Sequence, residues 1–283
     1  LSAPGDVRIF APANKRMIMT PIYKLLLVAL CLLGVISCSD DVPEPAAPAR
    51  TVLVYMAGDN NLAHYIGGNL KAIERGCSIE NLNGGNLLVY SDSINEAPRL
   101  YKIEPGKNGG KRVLVKEYPE GNSVSPQTIR DVIRDVSEAY PAESMGLVLW
   151  SHGTGWLPAN PSSYMRSFGP DGNDYIEIME LAQVLNDFHF DFLAFDACYM
   201  GSVEVAYELR NCADYLIASA TEVMGAGFPY DLMIRPMFSS TADVRGIAEA
   251  FYTYYNNMSG LMRSASIAVV KNDELSGLAD ACR

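Results

Sequence analysis

Two short stretches of this 283-residue chain carry residue types that do covalent chemistry. In "FLAFDACYMGS", residues 192–202, an apolar run gives out at Asp196, and Cys198 follows two residues later. In "LVLWSHGTGW", residues 147–156, another apolar run gives out just before His152, with Gly153 beside it. A cysteine within an apolar run would read first as a space-filling core residue. Cys198 stands just past the end of one, where α/β proteins place their reacting groups. A nucleophilic sulfur must be deprotonated, and an imidazole within reach favours the thiolate and later protonates a leaving amine. A glycine next to that imidazole lets backbone approach a substrate, and its N–H is available to a developing oxyanion. Either stretch alone is ordinary, since a cysteine after a strand is commonly a small packing residue. Both at the ends of consecutive core strands point to catalysis by a Cys198/His152 pair.

The elements that must position this pair read as an alternation of strands and helices. Residues 51–57, 86–92, 145–150, 191–196 and 214–220 are short, mostly apolar runs bounded by turn residues, the pattern of buried strands. Residues 99–103 and 111–117 flank a Gly/Asn-containing turn and predict a hairpin. Leu62, Ile66, Leu70 and Ile73 fall at helical spacing behind Asn60 and Asn61, either of which is a suitable cap. Ser125 and Pro126 open a second helix, and the run 175–188 predicts a third. Further helices follow at 202–209, 243–255 and from Asp273 onward, with a last strand over 264–270. A polar loop spans residues 157–174. Continuously apolar strands alternating with helices predict an α/β fold: a largely parallel sheet with helices on both faces.

The ends bear on where the protein works. Residues 25–36 form an uninterrupted apolar run after Lys24, too short for a membrane-spanning helix of roughly 20 residues. The run fits the core of a secretory signal peptide. It ends in "VISC", which has the form of a bacterial lipobox with Cys38 as the lipidated residue. Residues 1–37 thus read as an upstream extension plus a lipoprotein signal, 38–50 as a Pro/Ala-rich tether, and 51–283 as the folded domain. The expected location is the bacterial cell envelope, by a lipid anchor on the outer membrane or cell surface. A helix opening at the last residues predicts truncation at the C-terminus. Losing residues 1–37 removes four basic residues and one acidic one, which takes the formal net charge from −11 to −14. Such a balance excludes nucleic acid as a natural partner. Cys77, Cys198, Cys212 and Cys282 lack the spacing of a zinc site, so no metal is assigned. An exported chain can oxidise its thiols, and Cys77, Cys212 or Cys282 are candidates for pairing.

At this length of motif the residues resemble a known family. "VLWSHGTGW" and "LAFDACYMGSVEVAYEL" are similar to the His and Cys motifs of the clostripain family, and "VYMAGDNNL" and "ASATEVMGAGFPYD" (218–231) to two of its other segments. The resemblance covers about residues 51–270. It implies a caspase-like three-layer sandwich and a cysteine endopeptidase that cuts after Arg or Lys, with a Cys/His dyad and no required third member. It implies that Asp196 lies in the pocket for the residue before the cut, where a carboxylate would pair with guanidinium or ammonium. A cap on the next helix is the alternative for Asp196. Thr221 and Glu222 match a loop near that pocket. The resemblance also implies activation by a cut between the two motifs, as in many family members, and Arg166 is the only Arg or Lys between Gly153 and Ala197. Calcium is used by some relatives; "AGDNN" and "GPDGND" offer oxygens but not EF-hand spacing, so no cofactor is required by the residues themselves. Peptides with Arg or Lys are the implied partners, and the chain reads as a monomer. Two other readings stay open: an inactive surface-anchored binding protein on the same scaffold, and a cysteine-dependent amidase of small substrates.

Overall fold

The computed structural model describes residues 48–156 and 167–283. The signal, Cys38 and most of the tether lie outside the described residues, as does Arg166.

The first strand, β1 (Arg50–Gly58), is buried along its whole length. Its side chains alternate between two packed layers. Leu53, Tyr55 and Ala57 face one side; Val52, Val54 and Met56 face the other. A strand covered on both faces has no need of polar alternation, which is why the run reads as continuously apolar. From β1 the chain passes through α1 (Ala63–Gly76), the single-turn α2 (Ile79–Leu82), and β2 (Asn86–Ser93). The hairpin β3 (Glu96–Gly106) and β4 (Gly109–Glu117) follows, then α3 (Pro126–Ala139) and β5 (Ser144–Trp150). Next come β6 (Ser167–Asp171), β7 (Asp174–Glu177), α4 (Ile178–Leu185), β8 (Phe190–Asp196), α5 (Val203–Glu208) and β9 (Ala213–Ala218). Last are α6 (Tyr230–Met237), α7 (Val244–Asn256), β10 (Ala268–Lys271) and α8 (Leu275–Ala281).

Eight of the strands form one sheet in the order β10-β9-β8-β5-β1-β2-β3-β4. The five central strands, β9 to β2, run parallel, and β10, β3 and β4 add antiparallel edges. Helices α3, α4, α5 and α8 pack apolar residues such as Ile133, Leu181, Val205 and Leu275 on one face. Helices α1, α6 and α7 pack Ile73, Ile234 and Phe251 on the other. The expected sandwich with a largely parallel sheet is present.

Three elements depart from the sequence reading. The end of the expected loop 157–174 is strand β6, paired with β7 through Phe168 and Ile176. The run 175–188 is therefore not one helix. Its first residues extend as β7, and α4 begins only after Glu177, whose amide donates to Glu180 Oε2 at 3.4 Å. Helix α6 was hidden by Pro236, which stands inside it near its C-terminal end.

The start of β1 is tied down by a buried charge. Arg50 is 3% exposed, donates twice to Asp191 Oδ2 at 2.6 and 2.9 Å, and donates to the carbonyls of Met237 and Ser239. One side chain thus joins β1, β8 and the end of α6. Arg50→Ala should lower the unfolding free energy by about 3 kcal/mol in urea titration; a loss under about 1 kcal/mol would show that the pair is not buried as described.

Candidate active site

The register of β5 against β8 sets the site. Trp150 pairs with Asp196 as the last couple of the ladder. His152 and Cys198 each stand two residues beyond that couple, so both chains deliver their reacting residue at the same height. The two line one cavity of about 220 Å³, together with Asp196, Tyr65, Val223 and Gly227. Ser151 fixes the turn before His152: its hydroxyl donates to the Ala57 carbonyl of β1 at 2.6 Å, and its amide donates to Asp196 O at 3.4 Å.

The histidine loop is held on its other side by β6. Gly169 N donates to His152 O at 3.0 Å and Thr154 N to Ser167 O at 3.1 Å, and Gly153 faces Phe168 between them. In an antiparallel couple of this kind the facing residue's own N–H points away from the partner strand. The amide of Gly153 is thereby left clear of β6. Glycine is required here because a Cβ at position 153 would meet the carbonyl oxygen of Cys198 at 2.5 Å. Gly155 lies likewise against the Tyr199 carbonyl and has φ +62°. The "HGTG" spacing lets the histidine loop lie on the backbone of the cysteine loop. Tyr199 itself has φ +63°, an unusual conformation for a bulky residue and one that turns the chain sharply after the nucleophile.

Cys198 sits half-buried, its Sγ accepting from Val223 N at 3.3 Å. Burial raises its pKa, the Val223 amide opposes that, and the charges of Glu222 and Asp196 add to the rise. Burial lowers the pKa of His152. Burial thus favours the uncharged form of both side chains. His152 Nε2 lies 2.5 Å from Asn61 Oδ1.

Asp196 is 3% exposed. Its Oδ2 accepts from Phe228 N and from the Tyr230 hydroxyl, both at 2.9 Å. Its Oδ1 is buried and has no hydrogen-bond partner among the described residues. Burial pushes its pKa up to about 7 against the pull of those two donors. The cap on α5 is Ser202, whose hydroxyl accepts from Val205 N, so Asp196 does not serve as that cap. Thr221 and Glu222 stand next to the cavity. The Thr221 carbonyl accepts from Tyr199 N, its hydroxyl meets Ser266, and Glu222 accepts from the Tyr199 hydroxyl. The wall itself comes from the following residues, Val223, Met224, Gly225 and Gly227, which sequence reasoning did not single out.

Among the described residues no three His, Cys, Asp or Glu side chains are grouped to hold a metal. In "GPDGND" Asp171 accepts from the amide and hydroxyl of Ser123 and Asp174 from Asn122, which makes that stretch the anchored β6–β7 turn. Cys77, Cys212 and Cys282 are free thiols.

Comparison with known proteins agrees with this geometry. The model of the clostripain family, Peptidase_C11, matches residues 54–283. Clostripain from Hathewaya histolytica is 29% identical over 214 residues, which cover 64% of this chain and 40% of that protein. An inactive zymogen C11 protease from Parabacteroides distasonis superposes with a TM-score of 0.75 at 46% identity, covering 84% of this chain and 66% of that one. A secreted C11 cysteine protease from Bacteroides thetaiotaomicron, solved with an irreversible peptide inhibitor, gives 0.74 at 38% identity over 83% of this chain and 69% of that one. The chain spans two fifths of the curated clostripain and about two thirds of the zymogen's length. With a cysteine and a histidine at adjoining strand ends and a family match across nearly all of the folded part, the chain belongs to the clostripain family.

Proposed function

We propose that the protein is a cysteine endopeptidase that cleaves after arginine or lysine, with Cys198 as nucleophile and His152 as its base. The observation that carries this reading is the Asp196 carboxylate, buried in the same cavity as both residues with one oxygen unpartnered. An isolated buried carboxylate is costly unless a cation meets it. A guanidinium or ammonium entering the cavity supplies that cation and places the following carbonyl at Cys198. His152 takes the thiol proton as Sγ attacks the carbonyl carbon, and the Gly153 N–H receives the negative charge on oxygen. His152 then gives the proton to the departing amine, leaving a thioester. A water attacks that thioester with His152 again as base, which frees the acid product and restores the thiol.

Relatives support the reading. The Hathewaya histolytica protein bears the name clostripain, and the Bacteroides thetaiotaomicron enzyme was trapped by a peptide inhibitor. The Parabacteroides distasonis relative is an inactive zymogen, which accords with activation by a cut at Arg166. That bond adjoins a well-anchored residue: Ser167 N donates to Thr154 Oγ1 at 2.9 Å, so the new terminus would remain beside the histidine loop. The lipobox extends the proposal to place. Cys38 would anchor a monomeric enzyme to the cell envelope, facing peptide or protein substrates.

Fluorogenic peptides ending in Arg or Lys should be hydrolysed and those ending in neutral or acidic residues spared, with all activity lost in Cys198→Ala. Asp196→Asn should lower kcat/KM for the Arg peptide about 100-fold, the worth of a charge-assisted hydrogen bond near 3 kcal/mol. Retained Arg preference in that variant would remove Asp196 from the pocket. The same variant should be more stable at neutral pH. The folded-state pKa of Asp196 is raised to about 7 from 3.8, so its contribution to stability is full below the lower value and is lost as pH rises through the upper one. Urea titrations at pH 5 and pH 8 should show wild type weakening more than the Asn variant; equal slopes would contradict a buried, desolvated carboxylate. Expressed active protein should separate into two fragments at Arg166–Ser167 while Cys198→Ala stays whole, and an active enzyme that remains one chain would exclude self-cleavage.

A further inference from the structure

We infer that Asn61 is a positioning residue for His152, holding the ring as the Nε2–H tautomer so that Nδ1 is the nitrogen that takes the thiol proton. The inference rests on the peptidase reading above and adds a third member to the pair. Asn61 Oδ1 lies 2.5 Å from His152 Nε2, and an amide oxygen can only accept. Nε2 must therefore carry the hydrogen, which leaves Nδ1 unprotonated. A neutral imidazole without such a partner exchanges tautomers and turns about its bonds, and only one arrangement presents a basic nitrogen to the sulfur.

The surroundings of Asn61 are built to hold it there. Its neighbour Asn60 is lashed to three elements: its amide nitrogen donates to Ala57 O at 3.1 Å, to Pro170 O at 2.9 Å and to Ser151 Oγ at 3.4 Å. Asn60 Oδ1 accepts from Leu62 N at 2.9 Å, closing the turn on itself. The turn "GDNN" after β1 is thus fixed to the residue before His152 and to the strand that brackets the histidine loop. Asn60 to Ser151 and Asn61 to His152 make two successive links between the same two turns. Asn61 is not used as a cap either, since α1 begins after Leu62 with no side-chain cap bond. The two asparagines divide their work: Asn60 fixes the backbone, and Asn61 sets the ring.

Partners that orient a metal-bound histidine are worth roughly 10- to 100-fold, and a reacting histidine held the same way is expected to lose on the same scale. Asn61→Ala should lower kcat for an Arg peptide by about 30-fold with KM unchanged. Asn61→Asp, which also accepts from Nε2–H, should recover most of that loss. Nitrogen NMR on the Cys198→Ala protein should show His152 with its proton on Nε2, and the addition of Asn61→Ala should bring in the Nδ1–H form. Iodoacetamide labelling of Cys198, followed by peptide mass analysis, should slow in Asn61→Ala. Labelling and NMR need no peptide substrate, so they decide the role of Asn61 even if the wild type cuts no Arg or Lys peptide. An Asn61→Ala protein with unchanged kcat, unchanged labelling rate or an unaltered Nε2–H tautomer would overturn the inference. So would a loss in kcat that Asn61→Asp fails to recover.

Discussion

The site is organised around a buried carboxylate, Asp196, one of whose oxygens has no hydrogen-bond partner among the described residues. Asp196 closes β8 within the sheet, is 3% exposed, and lines the cavity shared with Cys198 and His152. Two donors, Phe228 N and the Tyr230 hydroxyl, hold one oxygen and orient the other. That arrangement costs stability in the empty protein. It yields a directed, partly desolvated negative group, worth more to a cationic side chain than the same carboxylate in water. The segment after β9 exists in this form largely to serve it. Gly227 permits backbone to lie on the carboxylate, and Phe228 and Tyr230 supply the donors as the chain turns into α6.

The proposed nucleophile, Cys198, and its proposed base, His152, depend on the same pair of strands. Because Trp150 and Asp196 are register partners, one ladder places the Asp196 carboxylate, Cys198 and His152 relative to one another. The loops beyond it are then locked by close backbone contact. Gly153 and Gly155 lie on the carbonyls of Cys198 and Tyr199, while β6 binds the histidine loop from its other side. Burial favours the uncharged form of both Cys198 and His152. Such a pair needs its base correctly oriented more than one that rests as an ion pair does, which is where Asn61 enters.

Much of this was legible in the residues. Apolar runs on doubly covered strands stand out because nothing polar interrupts them, and strand ends bearing Cys198 and His152 are visible by the same contrast. The Ser125–Pro126 helix start is present as read, with Ser125 accepting from Thr128 N. What escaped is what long-range contact decides. Nothing local shows that Asn61, ninety-one residues before His152, faces its ring, or that Val223 to Gly227 wall the cavity while Thr221 and Glu222 turn to Ser266 and Tyr199. The β6–β7 hairpin was obscured by its Gly and Pro, and α6 by its internal proline. The family resemblance pointed to Cys198, His152 and Asp196, yet the contact between Asn61 and the His152 ring is visible only in the geometry.

The most direct test compares two peptides that differ only in charge at the residue before the cut, arginine and its neutral isostere citrulline. If the Asp196 carboxylate reads the cation, the ratio of their kcat/KM values should be about 100 at pH 8 and should fall as pH drops through about 7, where Asp196 gains its proton. Equal cleavage of the two peptides at pH 8, or a ratio that does not change with pH, would contradict it.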